Sequence, residues 1–280
     1  MGSLFKVVNA FIFSVMFAFP AVGDDFWMGR PSDESDEEVV CEPGKEDCDA
    51  KWEGSVEFGY VAVSGNQETD SLNGRFALSY EVEKWRHGGF VATQSSSTDD
   101  KINDIQTEAR KLVAQLKSQY KYSDNAYAFG IYDFDDTKDS GFDYQSSIAF
   151  GAGYSFLNSE EHTLEAELGL GIRETKNTFV ADNPDTVENE EVPSVTSSEQ
   201  IARLAGLYKW NISENSNFEQ TISAEIGEDN DVYKSYSAIS ANIIENLALK
   251  ISYTAKYQSE VPEGNEDLET VSSFTVVYSF

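Results

Sequence analysis

His87 and His162 are the side chains in this sequence best suited to act as a general base near neutral pH. A hydrolytic site would need one of them beside a nucleophile, with a third group orienting the ring. The spacing argues otherwise. Both histidines sit beside short polar turns, no Gly-x-Ser-x-Gly elbow is present, and neither lies in a Ser-rich or Asp-rich long segment that would complete a triad. They read as turn histidines in a non-enzymatic chain, and a membrane-embedded hydrolase is the least favoured reading. Cys41 and Cys48 flank "EPGKED", whose Pro-Gly turns the chain back. In an oxidising compartment a Cys41–Cys48 disulfide is expected. A two-thiol metal site lacks the further Cys or His that a closed zinc site requires. "DFDDTKDSGFD" gathers Asp133, Asp135, Asp136, Asp139 and Asp143 around Gly141, the sort of carboxylate cluster that calcium favours. Its spacing is not that of an EF-hand loop and Lys138 lies within it. It therefore reads as a solvated acidic loop, open to diffuse contact with divalent cations. No motif asks for a cofactor or a resident metal.

The elements that must position these groups are strands. In "TLEAELGLGIR", Leu164, Ala166, Leu168, Leu170 and Ile172 fall on one face, and Thr163, Glu165, Glu167 and Arg173 on the other. A helix would scatter those leucines around its axis, whereas a strand collects them on one side. The same split sets Phe142, Tyr144, Ile148, Phe150, Tyr154 and Phe156 against Asp143, Gln145 and Ser147, and it recurs along the chain. It marks about twelve strands, near 52–63, 70–84, 86–96, 104–122, 125–134, 141–157, 161–174, 197–212, 216–227, 231–245, 247–259 and 268–280. The runs near 86–95, 125–134 and 230–246 are less clean. Short turns alternate with longer acidic connections, of which 174–199 is the longest. This pattern predicts an all-β fold, a transmembrane antiparallel up-and-down β-barrel of about 12 strands spanning 52–280, with the long loops extracellular. A soluble β-sandwich would alternate too, but its strands average about five or six residues. Aromatic residues also gather near strand ends, as interfacial girdles require. Trp52, Trp85, Tyr120, Tyr122, Tyr154, Phe156, Tyr208, Trp210 and Phe218 lie toward the short turns. Tyr132, Phe134, Phe142, Tyr144 and Tyr257 lie toward the long connections.

With the apolar face toward lipid, the opposite face looks into a lumen. It carries Glu57, Arg75, Glu81, Lys111, Lys117, Lys121, Glu165, Glu167, Arg173, Arg203, Lys209, Glu219, Glu225, Lys250 and Lys256. Acidic and basic groups are near balance there, so the formal net charge of -30 resides mainly in the loops and leader. Such a face has two uses. Cross-strand ion pairs can fill a narrow barrel. Alternatively, patches of one sign can line a porin-like diffusion channel for ions or small solutes, with Lys111, Lys117, Lys121, Lys250 and Lys256 favouring anions. Filling is the favoured reading. A register setting Arg173 near Ile201 would pair Glu165 with Lys209.

Residues 1–23 read as a signal peptide. Lys6 supplies the basic start, "VVNAFIFSVMFAF" the apolar stretch, and "AVG" before Asp24 the cleavage pattern. Residues 24–51 follow as an acidic periplasmic leader without periodicity. An excess of 50 acidic over 20 basic residues argues against nucleic acid or anionic lipid as partner of the chain as a whole.

"WEGSVEFGYVAVSGNQETDSLNG" resembles the opening of the YdiY-like outer-membrane proteins, a family described as salt-induced and grouped as a domain of unknown function. The matching positions are Trp52, Gly54, Gly59, Gly65, Asn66 and Thr69. The resemblance extends in strand layout over 52–280, while the acidic leader is not part of the family pattern. It implies a barrel in the Gram-negative outer membrane, among phospholipid and lipopolysaccharide, with a link to salt or osmotic response and no catalytic residues to carry over. The final strand, with Phe274, Val276, Tyr278 and Phe280 on one face, also resembles the signal read by the barrel-assembly machinery.

Overall fold

Side chains along the described strands point alternately to the two faces of the wall. The computed structural model describes residues 50–63, 67–100, 105–137, 142–177, 195–261 and 266–280. The signal and leader, the Cys41–Cys48 pair, Gly65, Asn66, Asp139 and Gly141 lie outside them. Twelve strands are present: β1 (Lys51–Val63), β2 (Gln67–Val82), β3 (Trp85–Asp100), β4 (Ile105–Lys121), β5 (Ala126–Thr137), β6 (Phe142–Asn158), β7 (His162–Asn177), β8 (Val195–Ser213), β9 (Ser216–Ile226), β10 (Asp231–Ile244), β11 (Leu247–Gln258) and β12 (Leu268–Ser279). Each pairs antiparallel with its neighbours in sequence, and β12 closes on β1. Closure matters because lipid cannot satisfy the free amides of an open sheet edge.

The wall is inside-out relative to a soluble protein. Leu168 and Leu170 are 62% and 71% exposed on the outside, while Glu165 and Glu167, just before them on the same strand, are 6% and 3% exposed on the inside. Water would not tolerate so large a continuous apolar belt, and a bilayer requires one. The strands, from 11 residues in β9 to 19 in β8, reach or exceed the roughly 9–11 residues that a tilted strand needs to cross. The end with the short turns carries an aromatic girdle. Trp52 packs against Tyr80 at 4.5 Å, Trp85 against Tyr120 at 4.9 Å and Tyr154 edge-on against Phe156 at 5.0 Å. At the other end Phe134 meets Tyr144 and Tyr233 meets Tyr257.

The ladders run further toward the long connections than the alternation predicts. β2 begins at Gln67 and β3 runs to Asp100, so most of "SGNQETD" and "SSSTDDKIND" is strand. β7 continues to Asn177 and β8 starts at Val195. The reason is that paired backbone extends a strand past the point where side chains cease to alternate in polarity. One girdle residue is displaced. Register shifts between Phe142 and Tyr144, and this bulge turns Phe142 inward, where it is 7% exposed.

β12 meets β1 over Val276–Ser279 and Ser55–Phe58. Beyond them Gly54 and Phe280 exchange two backbone hydrogen bonds, each 2.9 Å. A Cβ on Gly54 would lie 2.6 Å from the Phe280 ring. The glycine of the Trp-x-Gly opening therefore makes the seat for that ring at the barrel seam.

Candidate functional site

Inside the barrel, antiparallel pairing turns the odd-numbered residues of β4, β5, β7 and β8 and the even-numbered residues of β10 and β11 toward the lumen. Every basic and acidic residue expected on the inner face from the sequence lies there, buried or half-buried. The contacts they make tie distant strands together.

Toward the short turns, Lys117 on β4 reaches Glu167 on β7 at 2.6 Å, with side-chain exposures of 1% and 0%. Gln119 donates to the same carboxylate at 3.3 Å. The Tyr127 hydroxyl lies 2.9 Å from Glu167 and 3.0 Å from Glu165, so its one proton bridges the two carboxylates. Glu165 also accepts from Ser155 at 3.1 Å and faces Arg86 at 3.8 Å. The ammonium of Lys117 sits 5.2 Å from the Phe129 ring, and the Arg75 guanidinium 4.1 Å from Phe90, so aromatic faces share in holding the cations. Lys250 bonds Glu57 at 2.6 Å, Lys209 bonds Glu219 at 3.1 Å, and Lys121 pairs with Glu81.

Higher in the barrel, Arg203 bonds Glu225 at 2.9 Å and faces Asp133 at 3.4 Å. Arg173 bonds Glu199 at 2.7 Å, faces Glu225 at 3.5 Å and donates to the Asn230 carbonyl. Next to these, Lys256 on β11 meets Asp135 on β5 at 2.8 Å. Five strands separate β11 from β5 in either direction around the barrel. The pair therefore spans the lumen from wall to opposite wall. Lys111 on β4 reaches Glu269 on β12 at 3.1 Å as a second strut. The space left between Val113, Asp135, Arg173, Glu225, Val232 and Lys234 is about 30 Å³, room for a water or two. Chemically, this arrangement ties the walls together across the lumen.

Two sequence expectations change here. Arg173 stands opposite Glu199, and Thr163, not Glu165, stands opposite Lys209. The register is thus shifted by two residues, and Glu165 pairs with Arg86, Ser155 and Tyr127 in place of Lys209. The shift follows from the longer β7–β8 ladder, which pairs Asn177 with Val195. Asp133 and Asp135 are likewise not loop residues, because β5 continues to Thr137, and their carboxylates are engaged by Arg203 and Lys256. Asp143 bonds Lys176 at 3.1 Å. No metal-binding cluster occurs among the described residues.

Sequence reasoning missed Arg86, Tyr127, Asp133, Asp135, Glu199, Lys234 and Glu269 as lumen residues. Several sit on strands whose inner face is itself apolar: Phe90 and Ala92 on β3, Tyr127, Phe129 and Ile131 on β5, Val232, Tyr236 and Ala238 on β10. With apolar side chains on both faces, period-2 contrast fades. The histidines lie elsewhere, on the outer wall at the girdle. His162 stacks between Tyr208 and Trp210 and bonds the Tyr208 hydroxyl through Nδ1 at 3.0 Å. His87 stacks on Trp85 at 5.4 Å, and its Nδ1 lies 2.9 Å from the Ser118 hydroxyl on the neighbouring strand. That cross-strand serine is 31 positions away in sequence, and only pairing brings it near.

Residues 56–280 match the family described as protein of unknown function, DUF481. A curated Escherichia coli (strain K12) relative, Uncharacterized protein YdiY, is 27% identical over 214 residues, covering 76% of either protein. Among solved structures, the translocator domain of the autotransporter NalP from Neisseria meningitidis aligns over 82% of this chain and 88% of its own, at 9% identity and a TM-score of 0.49. The NanC porin aligns over 81% and 97%, at 8% identity and a TM-score of 0.44. At these identities the likeness is one of fold alone.

Proposed function

The chain belongs to the DUF481 family, and from that premise we propose that its barrel is a non-enzymatic component of the bacterial outer membrane whose lumen is held shut by its own ion pairs. The observation that carries this reading is the Lys256–Asp135 bridge, 2.8 Å long between opposite walls. A diffusion pore keeps its lining charges apart and hydrated, whereas here they are spent on one another. The histidines support the non-enzymatic part. Among the described residues, no carboxylate stands behind the His87–Ser118 pair, and Glu161 is 4.0 Å from His162 on an exposed turn.

Single-channel recording in planar bilayers tests the sealed lumen. The native barrel is expected to give no steady conductance, and the Asp135→Ser/Lys256→Ser double variant to give reproducible steps. Steps of equal size from the native barrel would instead establish the narrow-channel reading. That second reading draws on the neutral inner wall near the seam, where Asn73, Ser273 and Thr275 are 4%, 5% and 5% exposed and carry buried polar atoms without a protein hydrogen bond.

Export by a cleaved signal and recognition of the closing strand by the barrel-assembly machinery belong to the same proposal. So does a role in salt or osmotic response, which rests on the family resemblance. For the last, a strain lacking the protein should grow more slowly than its parent as sodium chloride is raised. Equal growth across the series would remove that role.

A further inference from the structure

The outer wall holds a depression that the sealed lumen does not explain. It has a volume of about 730 Å³ and an almost wholly apolar lining, and it opens outward over β2–β6. That volume lies within the range of small-ligand sites. Pairing explains its shape. In one row across the sheet, His87 stands beside Ser118, Ser118 beside Gly130, and Gly130 beside Phe150. In the next row Gly89 stands between Leu78 and Leu116. A Cβ on Gly89 would collide with the Gln115 carbonyl and Leu116, and one on Gly130 would press the Phe150 ring at 3.0 Å. Glycine at both positions lets Leu116 and the Phe150 ring close in, and the hollow is walled by Leu78, Val91, Leu116, Tyr132 and Phe150.

Ser118 and His87, locked together at 2.9 Å, face this hollow from the girdle beside Trp52 and Tyr80. They lie in the row next to the Trp85–Tyr120 pair, at the level where interfacial aromatics sit. Phospholipid ester carbonyls occupy that same level. We propose that this hollow is a site for one phospholipid of the leaflet at the short-turn end, with an acyl chain along the apolar wall and an ester carbonyl accepting a hydrogen bond from the Ser118–His87 pair. The occupant follows from continuity with the lipid-facing belt and from the polarity of the pair. The bond within the pair uses one proton and leaves one donor free, the imidazole Nε2–H or the hydroxyl according to the tautomer, and a phospholipid ester brings acceptors only. The pair binds and does not cleave, because no third group orients the imidazole for proton transfer.

The site has a matched control on the same molecule. Trp85 stacks on His87, and Trp210 stacks on His162 in the same girdle but away from the hollow. The test uses folded full-length barrels carrying Trp85 or Trp210 as the sole tryptophan, in vesicles doped with a low fraction of phosphatidylethanolamine brominated on its acyl chains. Site occupancy above the bulk lipid ratio is expected to quench Trp85 more strongly than Trp210. One hydrogen bond of ~1.4 kcal/mol corresponds to a preference of about tenfold. Ser118→Leu, which fills the hollow, and His87→Phe, which keeps the stack and removes the donor, should each bring Trp85 down to the Trp210 level. Both variants are first checked for the compact, heat-modifiable band. Equal quenching of the two tryptophans in the native background overturns the site. Quenching of neither overturns the lipid-facing wall as well. Release of fatty acid by the native barrel that Ser118→Leu abolishes would overturn binding without cleavage.

Discussion

Replacing Lys117 with methionine is expected to destabilise the barrel by about 3–5 kcal/mol, the cost of leaving a buried charge without its partner. Lys117 and Glu167 are shielded from solvent almost completely and meet at 2.6 Å. Glu167 has few other resources. Oε1 also receives Tyr127 and Gln119, while Oε2 is buried without a hydrogen bond. Removing both charges with Lys117→Met/Glu167→Met should recover most of the loss, because a buried ion pair and an apolar pair of similar volume are often close in stability. Urea titration of the folded barrel in vesicles, followed by tryptophan emission, reads both effects. A single variant as stable as the native protein would show that the pair does not bear on the fold.

The second large effect is expected at the seam. Deleting Phe280 removes both hydrogen bonds to Gly54 and the ring seated over it. The backbone groups of Gly54 then lose their partners at the edge of the hydrocarbon layer, where each unsatisfied group costs several kcal/mol. The β1–β12 ladder is short, so little else holds that end of the seam. Heat-modifiable barrel in the outer-membrane fraction should fall at least about tenfold, which corresponds to a loss of only ~1.4 kcal/mol in a two-state balance. Gly54→Val separates ring from backbone, since its side chain displaces the Phe280 ring while the two backbone bonds can remain. An intermediate yield is expected from it. Undiminished barrel after deletion of Phe280 would place the closing contacts elsewhere.

The two sites differ in how far they can be read from residues alone. Glu165, Glu167, Arg173, Lys117 and Lys256 announce themselves as inward-facing, because their strands alternate cleanly and lipid excludes charge from the other face. Asp133 and Asp135 do not, since their strand bears Phe129 and Ile131 inside as well as Tyr132 outside, and its end carries enough acid to resemble a loop. The Ser118–His87 pair is invisible for a different reason. Neither residue has a local motif, and their meeting depends on the β3–β4 register.

Period-2 patterning by itself determined the barrel, its strand number and the side of the wall on which the charges of the cleanly alternating strands stand, because a strand sends successive side chains to opposite faces and a membrane accepts only one kind on its side. Only the tertiary structure decided which charges meet. Lys256 and Asp135 are 121 residues apart in sequence and become partners only when closure of β12 on β1 sets β5 opposite β11. Register and closure are properties of the whole ring, so no local pattern specifies them, and they convert a balanced set of inward charges into pairs that reach across the lumen.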